Sequence, residues 1–341
     1  MTERREGRRF PWVVLPTIVL VVLIAGWSAW WFHAAGRVGT VIDSWLKRES
    51  AAGREVDCAD RSVGGFPFEV VVRCRTIAVT VPGDPTPVVA RAAGFVGLAQ
   101  VYDPRHIIVE LTGPMQVGAA GKPPVVELSW KLAEASVIGA PDAADQRLSL
   151  VIEEPRLAAL DAGTRAEVAG AEHLELHARP DPRTAAAVDL VAAATGITAP
   201  TIRDRLGGPL DGELQVQATG LSQLPPASLA DLLRRFAAAG GQLNVALLRL
   251  TAPEMAAEGH GTLALDPDGR PEGDLAVTGR VAPAVLDDLL GREAAAARLG
   301  LGLLGEPAVL GGKPATTVHL AVRHGKLTLG PLKLGRLPPL F

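Results

Sequence analysis

The sequence is short of aromatic residues: of 341 residues, seven are Phe, six Trp and one Tyr. Six of those fourteen lie between Phe10 and Phe32. The remaining chain must build its core largely from Val, Leu, Ile and Ala. Cysteine is scarcer still, with only Cys58 and Cys74. Two thiolates are too few for a structural zinc site, and no histidine lies near them in sequence. Neither sign of charge dominates: 34 Lys and Arg against 37 Asp and Glu leave a net charge of -3. That balance gives no electrostatic reason to expect a nucleic-acid partner. Motifs that carry chemistry are missing as well: there is no GxSxG elbow, Walker A loop, HExxH helix or EF-hand loop. No catalytic residue, metal ligand or cofactor site is legible, and the chain is expected not to be an enzyme. The one enzymatic alternative is a hydrolase assembled from scattered residues, and no nucleophile–base pair supports it.

Charge is also absent from Phe10 to Phe32. That run has the length of a membrane-crossing helix, for which roughly 20 residues suffice. Arg4, Arg5, Arg8 and Arg9 precede it, whereas Arg37 alone follows closely, with Lys47 and Arg48 further on. This bias places the N-terminus in the cytoplasm. Trp12 stands at one end and Trp27, Trp30 and Trp31 at the other, as aromatic rings do at the two interfaces. A cleavable signal peptide would have an apolar region of about 7–15 residues ending in a small-x-small site. Here the run is longer and ends in Trp and Phe, which favours an uncleaved anchor. The expected division is a cytoplasmic tail over 1–9, a transmembrane anchor over 10–32, a juxtamembrane helix or linker over 33–53, and a periplasmic β-rich domain over 54–341.

Cys58 and Cys74 flank Gly64-Gly65-Phe66-Pro67-Phe68. The glycines permit a tight reversal, and alternation places Phe68, Val70, Val72 and Cys74 on one strand face. The cysteines are nearly symmetric about the turn, which predicts a hairpin in which they oppose each other and form a structural disulfide. The alternative is a pair of free buried thiols.

Period-two alternation continues along the chain. It is seen over Val126–Leu132, Leu174–Ala178, Leu214–Ala218, Leu148–Ile152, Ile107–Leu111 and Val318–Val322. Each segment has one apolar and one polar face, the pattern of an antiparallel sheet wetted on one side. A Gly-x-Leu-x-(Leu/Val) pattern recurs at Gly212, Gly241, Gly261, Gly273 and Gly325, and Asp266-Pro267-Asp268-Gly269 predicts a turn. Two helices are expected to interrupt the sheet. The first carries Leu229, Leu232, Leu233 and Phe236, with Ser228 and Asp231 able to cap it. The second starts near Pro283 and carries Val285, Leu286, Leu289 and Leu290. Gly212–Arg235 and Gly273–Arg292 look like one strand–helix unit used twice. Two late helices cannot cover every apolar strand face, so the sheet must curl on itself or face another sheet. The fold class is therefore mainly β: an N-terminal transmembrane helix, then an elongated, curled antiparallel sheet or β-sandwich with two short helices in the C-terminal half.

Two apparent sites dissolve on inspection. Gly300–Gly305 matches GxGxxG but follows an Ala-rich helical stretch, so it predicts a helix end and not a nucleotide loop. His173, Glu175 and His177 share the polar face of a predicted strand. Positions four apart there are separated by roughly 13 Å, which predicts a solvated face and not a metal site.

The membrane run, Cys58, the motif Gly65, Phe66, Pro67, Phe68, then Cys74, and a tail reading Leu327-Thr328-Leu329-Gly330-Pro331-Leu332 with Gly335-Arg336-Leu337-Pro338-Pro339 together resemble an uncharacterised domain family of Gram-negative envelope proteins. More loosely, the repeated Gly-x-Leu strands are similar to the AsmA-like proteins. The first resemblance implies a single-pass protein of the bacterial inner membrane, in contact with the bilayer. The second implies a part in lipid transport or envelope biogenesis. Two functions follow as expectations. One is a periplasmic protein with an apolar β-groove for a lipid, its mouth kept near the bilayer by the anchor. The other is an envelope scaffold that binds other envelope proteins through a filled sheet and takes no ligand.

Overall fold

A computed structural model describes residues 14–83, 86–139, 146–161, 163–184, 187–221, 229–282, 285, 287, 291 and 294–341. The first element, α1 (Val14–Ala51), is one unbroken helix of 38 residues. Its apolar part has almost no buried surface, and by length and composition it can cross a membrane. No helix break follows Phe32, so residues 33–51 continue the same helix. Trp31 is the only buried residue in α1. The helix ends where the Arg54 amide reaches back to the Glu49 carbonyl (2.9 Å) and the Arg54 guanidinium pairs with the Glu49 carboxylate (2.6 Å).

The chain then enters an antiparallel sheet that takes up the rest of the fold. The strands β1 (Glu55–Ala59) and β2 (Ser62–Gly64) form one arm of a hairpin, and β3 (Glu69–Cys74) and β4 (Thr76–Val81) the other. Both halves share a single register, Ser62 facing Arg73 and Ala59 facing Thr76. The cysteines do form a disulfide, with Cα atoms 5.2 Å apart. They do not oppose each other as the sequence suggested. Cys58 faces Ile77 and Cys74 faces Phe95 on the next strand, so the two are three residues out of step. The ladder breaks at Asp60, whose φ is 51°, and the disulfide ties the two halves diagonally across that break. Beside it the Arg75 amide donates to the Ala59 carbonyl (2.9 Å). The register centres the reversal between Pro67 and Phe68, whereas two facing cysteines would need it centred on Phe66.

Next come the long strands β5 (Val88–Gln100) and β6 (Asp103–Ala119), paired along their length. Beyond β6 lie β7 (Val126–Ser129), β8 (Leu132–Ile138), β9 (Arg147–Glu153), β10 (Arg156–Asp161), β11 (Thr164–Gly170), β12 (His173–Pro180) and β13 (Ala187–Ile197). The second half consists of β14 (Leu210–Thr219), β15 (Gln242–Ala252), β16 (Met255–Leu265), β17 (Pro271–Val281), β18 (Glu306–Leu310), β19 (Lys313–Arg323), β20 (Lys326–Leu329) and β21 (Leu332–Arg336). It is a meander except that β17 pairs with β19 and not with β18. The sheet is open, not closed. All five Gly-x-Leu patterns fall at or within strands. Across β16 and β17, Gly261 faces Leu275 and Gly273 faces Leu263, both glycines at φ 151°. A Cβ on either would fall on a carbonyl oxygen, that of Asp274 or Thr262, so a side chain there displaces the partner strand.

Three short helices, not two, follow α1 among the described residues: α2 (Pro200–Leu206), α3 (Leu229–Ala238) and α4 (Ala294–Leu304). The helix α3 is the first one expected, with Phe236 buried and the Asp231–Arg235 ion pair at 2.8 Å. Ser228 lies outside the described residues, as do Leu286, Leu289 and Leu290 of the second expected helix. Val285 is buried against Leu206, Ala252 and Met255. The supposed repeat does not hold in the strands: Thr219 ends β14, whereas Thr278-Gly279 lies inside β17. GxGxxG falls at the end of α4, where Gly300 abuts Leu329 and Leu332. It neither follows a strand nor opens a helix.

Candidate functional site

The run Val126–Leu132 reads as one strand, and the structure breaks it into β7 and β8 at Trp130. The cause is a fork in β6. Its first half pairs with β8, from His106–Ile138 to Glu110–Glu134. Its second half pairs with β7, from Met115–Leu128 to Val117–Val126. Between Glu110 and Met115 the ladder has no partner on that side, and backbone groups left so must be satisfied otherwise. The Trp130 indole fills the gap: its Nε1 donates to the Leu111 carbonyl (2.8 Å), and its ring lies over Gly113. A Cβ at Gly113 would sit 3.2 Å from that ring, so the smallest residue occupies the crotch of the fork.

From the fork two arms diverge. One runs β8–β9–β12–β13, the other β7–β10–β11. They meet again at one isolated bridge, where Gly170 and Thr198 exchange two hydrogen bonds of 2.8 Å. Between the arms, and under β4 and β5, lies a cavity of about 610 Å³. That volume is within the range of roughly 300–1,000 Å³ typical of small-ligand pockets. Its walls include the inward-facing residues of the neighbouring strands β6, β8 and β9: Val109 and Leu111, Ala133 and Ala135, Leu150 and Ile152. Ser129, Glu134 and Arg156 are the charged or hydroxyl residues at its margin, and Phe95 and Trp130 its aromatic ones. Among the described residues no large side chain is fully buried, and the buried set is dominated by Ala and Val. Small residues on facing strands leave space that larger ones would close. The shortage of aromatic residues was the sequence signal for this. The fork itself had no signal except Trp130 followed by Lys131.

The cavity is not at the anchor's end of the sheet. The hairpin tip at Gly65–Phe68 lies against Trp27 and Trp31, and the β5–β6 turn at Tyr102 lies beside it. The strand residues that line the cavity run from Phe95 back to Ala90. At ~3.4 Å per residue they begin about 24 Å along the sheet from Tyr102. The expectation of a mouth beside the bilayer does not fit this placement.

The outer face of the same strands is polar. His173 Nδ1 lies 2.9 Å from Glu153, and both His173 and His177 reach one oxygen of Glu175 at 3.5 Å. His177 Nδ1 also lies 3.0 Å from the Ser149 hydroxyl. The hydrogen bond that His173 donates to Glu153 raises the His173 pKa above its usual value, with Glu175 adding to it. A second polar cluster joins Asp266, from the predicted Asp-Pro-Asp-Gly turn, to Glu272 and His324, for which the sequence held no signal. Asp266 is buried and accepts the amides of Asp268 (3.0 Å) and Arg270 (2.8 Å), while His324 Nδ1 lies 3.0 Å from both carboxylates. These bonds, led by the Arg270 amide, hold the Asp266 carboxyl below the usual range. They explain the cluster as a clamp on the Asp-Pro-Asp-Gly turn.

A family profile described as an uncharacterized protein conserved in bacteria (DUF2125) matches residues 31–338. The chain belongs to the DUF2125 family. The matched span includes Trp31, the disulfide, the Gly-Phe-Pro-Phe tip, the fork and the tail as far as Pro338. DUF2125 membership assigns no activity, and it does not carry the looser likeness to AsmA-like proteins. No curated protein matches the chain.

Proposed function

We propose that this DUF2125 protein is an inner-membrane-anchored periplasmic protein that holds a hydrocarbon chain, most simply that of a lipid, in the cavity of its forked sheet. The observation that carries the proposal is the apolar cavity of about 610 Å³ between the arms, in a domain where no large side chain among the described residues is fully buried. An acyl chain entering it gains ~0.8 kcal/mol for each methylene removed from water. An envelope scaffold with a filled sheet is the less favoured reading, because the interior is open. The uncleaved anchor is supported by contacts that a removed signal peptide would not keep. Trp27 and Trp31 each donate from Nε1 to a carbonyl of the domain, Pro67 at 2.8 Å and Glu69 at 2.7 Å.

The test is native mass spectrometry of the full chain purified from envelope membranes and transferred to nanodiscs. A bound acyl lipid that survives removal of the surrounding bilayer, and that the variant Leu150→Gln loses while keeping its fold, is the expected result. A chain that emerges without ligand, and stays so after incubation with envelope lipids, overturns the proposal. A periplasm-dependent reporter fused after Phe341 is expected to be active, and a cytoplasmic signal there refutes the topology.

A further inference from the structure

The Gly65–Phe68 turn is held at one height on α1, and its rings point outward. Gly65, at φ 100°, starts the reversal where a Cβ would strike the Glu69 carbonyl. The indole bonds of Trp27 and Trp31 then fix the Pro67 and Glu69 carbonyls against the helix. Trp31 is buried at 4% exposure, with Phe66 edge-on to it at 5.5 Å, and Phe32 stacks on Phe66 at 6.1 Å. The Phe68 carbonyl accepts the Val101 amide (2.9 Å), which brings Tyr102 alongside. Phe66, Phe68 and Tyr102 are nonetheless 49%, 61% and 70% exposed, and Phe32 is 66% exposed. Only eight aromatic residues follow Phe32 in the sequence, and three of them stand exposed at this one end.

Trp27 to Phe32 are the last residues of the charge-free run. From Val14 to Phe32 the helix rises roughly 28 Å, close to the ~30 Å hydrocarbon thickness. If α1 crosses a bilayer, this level is the water interface, where aromatic rings are favoured. We infer that the Gly65–Phe68 and Val101–Tyr102 turns rest on the outer surface of the bilayer crossed by α1 and form a second membrane contact beside it. The inference rests on the anchor reading and is independent of any ligand in the cavity. Two contacts stop the domain from rocking about a single helix. They stand the β1–β4 hairpin tip-down on the membrane, with the cavity on the side away from it.

The test places the photoreactive residue p-benzoylphenylalanine singly at Phe68, Tyr102, Leu20 or Val309 in the full chain. Each protein is reconstituted in nanodiscs of phosphatidylethanolamine and phosphatidylglycerol, irradiated, and assayed by mass spectrometry for covalent lipid adducts. Leu20 reports whether the helix is embedded. Val309, 72% exposed in β18, reports background. Adducts at positions 68 and 102 should approach those at position 20 and exceed those at 309 by at least tenfold. Adducts at position 20 with only background at 68 and 102 overturn the second contact and leave the anchor standing. Background at position 20 as well overturns the anchor reading and this inference with it. Combining Trp27→Phe and Trp31→Phe should lower the adduct yield at Phe68 several-fold, because the tip loses both bonds that hold it at the interface.

Discussion

Filling the cavity separates an open ligand site from an ordinary core, because the two predict opposite signs for stability. Ala135 faces Val109 and Leu150 across the ladder, and Ala194 faces Leu174. All five line the cavity. Leucine at either alanine adds three carbons to the cavity wall and excludes a comparable length of ligand chain. At ~0.8 kcal/mol per methylene, each substitution should weaken binding by about 2.4 kcal/mol, or roughly 60-fold. Ala135→Leu with Ala194→Leu should approach about 5 kcal/mol as a ceiling, since neighbours relax. Stability should hold or rise, because the new side chains bury apolar surface in empty space. In a filled core the same additions cost about 1–3 kcal/mol each. The assay is displacement of a fluorescent fatty-acid probe from the nanodisc-held protein, with thermal unfolding followed in parallel. A fall of 1–3 kcal/mol in stability with probe affinity unchanged would refute the reasoning.

Replacing either Cys58 or Cys74 by Ser should lower the unfolding free energy by about 3 kcal/mol, since the bond closes a loop of about 15 residues. Non-reducing peptide mapping should recover the two linked, and a reduced protein that melts unchanged would show that the bond is idle. The His173 imidazole should titrate above its usual value by NMR, and Glu153→Gln should bring it down. Because the native pKa is raised, this pair's contribution to stability is complete below the ordinary histidine range and is lost as pH rises through the higher native value. A native pKa at or below that of free histidine contradicts the geometry. Gly261→Ala should destabilise the protein by more than about 1 kcal/mol in chemical denaturation, from strain and from displacement of the Asp274 carbonyl. A loss below half that would mean β17 yields easily.

Local patterns determined much about this protein. A charge-free run flanked by arginines needs no tertiary partner to be read, because transfer to lipid depends on the side chains themselves. Alternation of the kind in Leu174–Ala178 or Leu214–Ala218 states which face is dry, since the strand period is a property of the backbone. The scarcity of rings pointed to an interior that side chains would not fill. Pairing was decided elsewhere. Near-symmetry about the turn suggested that Cys58 and Cys74 were opposite each other, but the register centres the reversal between Pro67 and Phe68 and the ladder breaks at Asp60, so the bond runs diagonally. Val126–Leu132 alternates like a single strand, yet β6 has two successive partners. Only the competition of β7 and β8 for its one free edge splits the run at Trp130. The fork, and with it the cavity's place far from the anchor, depends on which distant strands share an edge. Hydrogen bonding between such segments leaves no periodic trace in either of them. The docking of Trp27 and Trp31 on the Gly65–Phe68 tip has the same origin: each ring fits the interface pattern on its own, and only the fold brings their N–H groups to the Pro67 and Glu69 carbonyls.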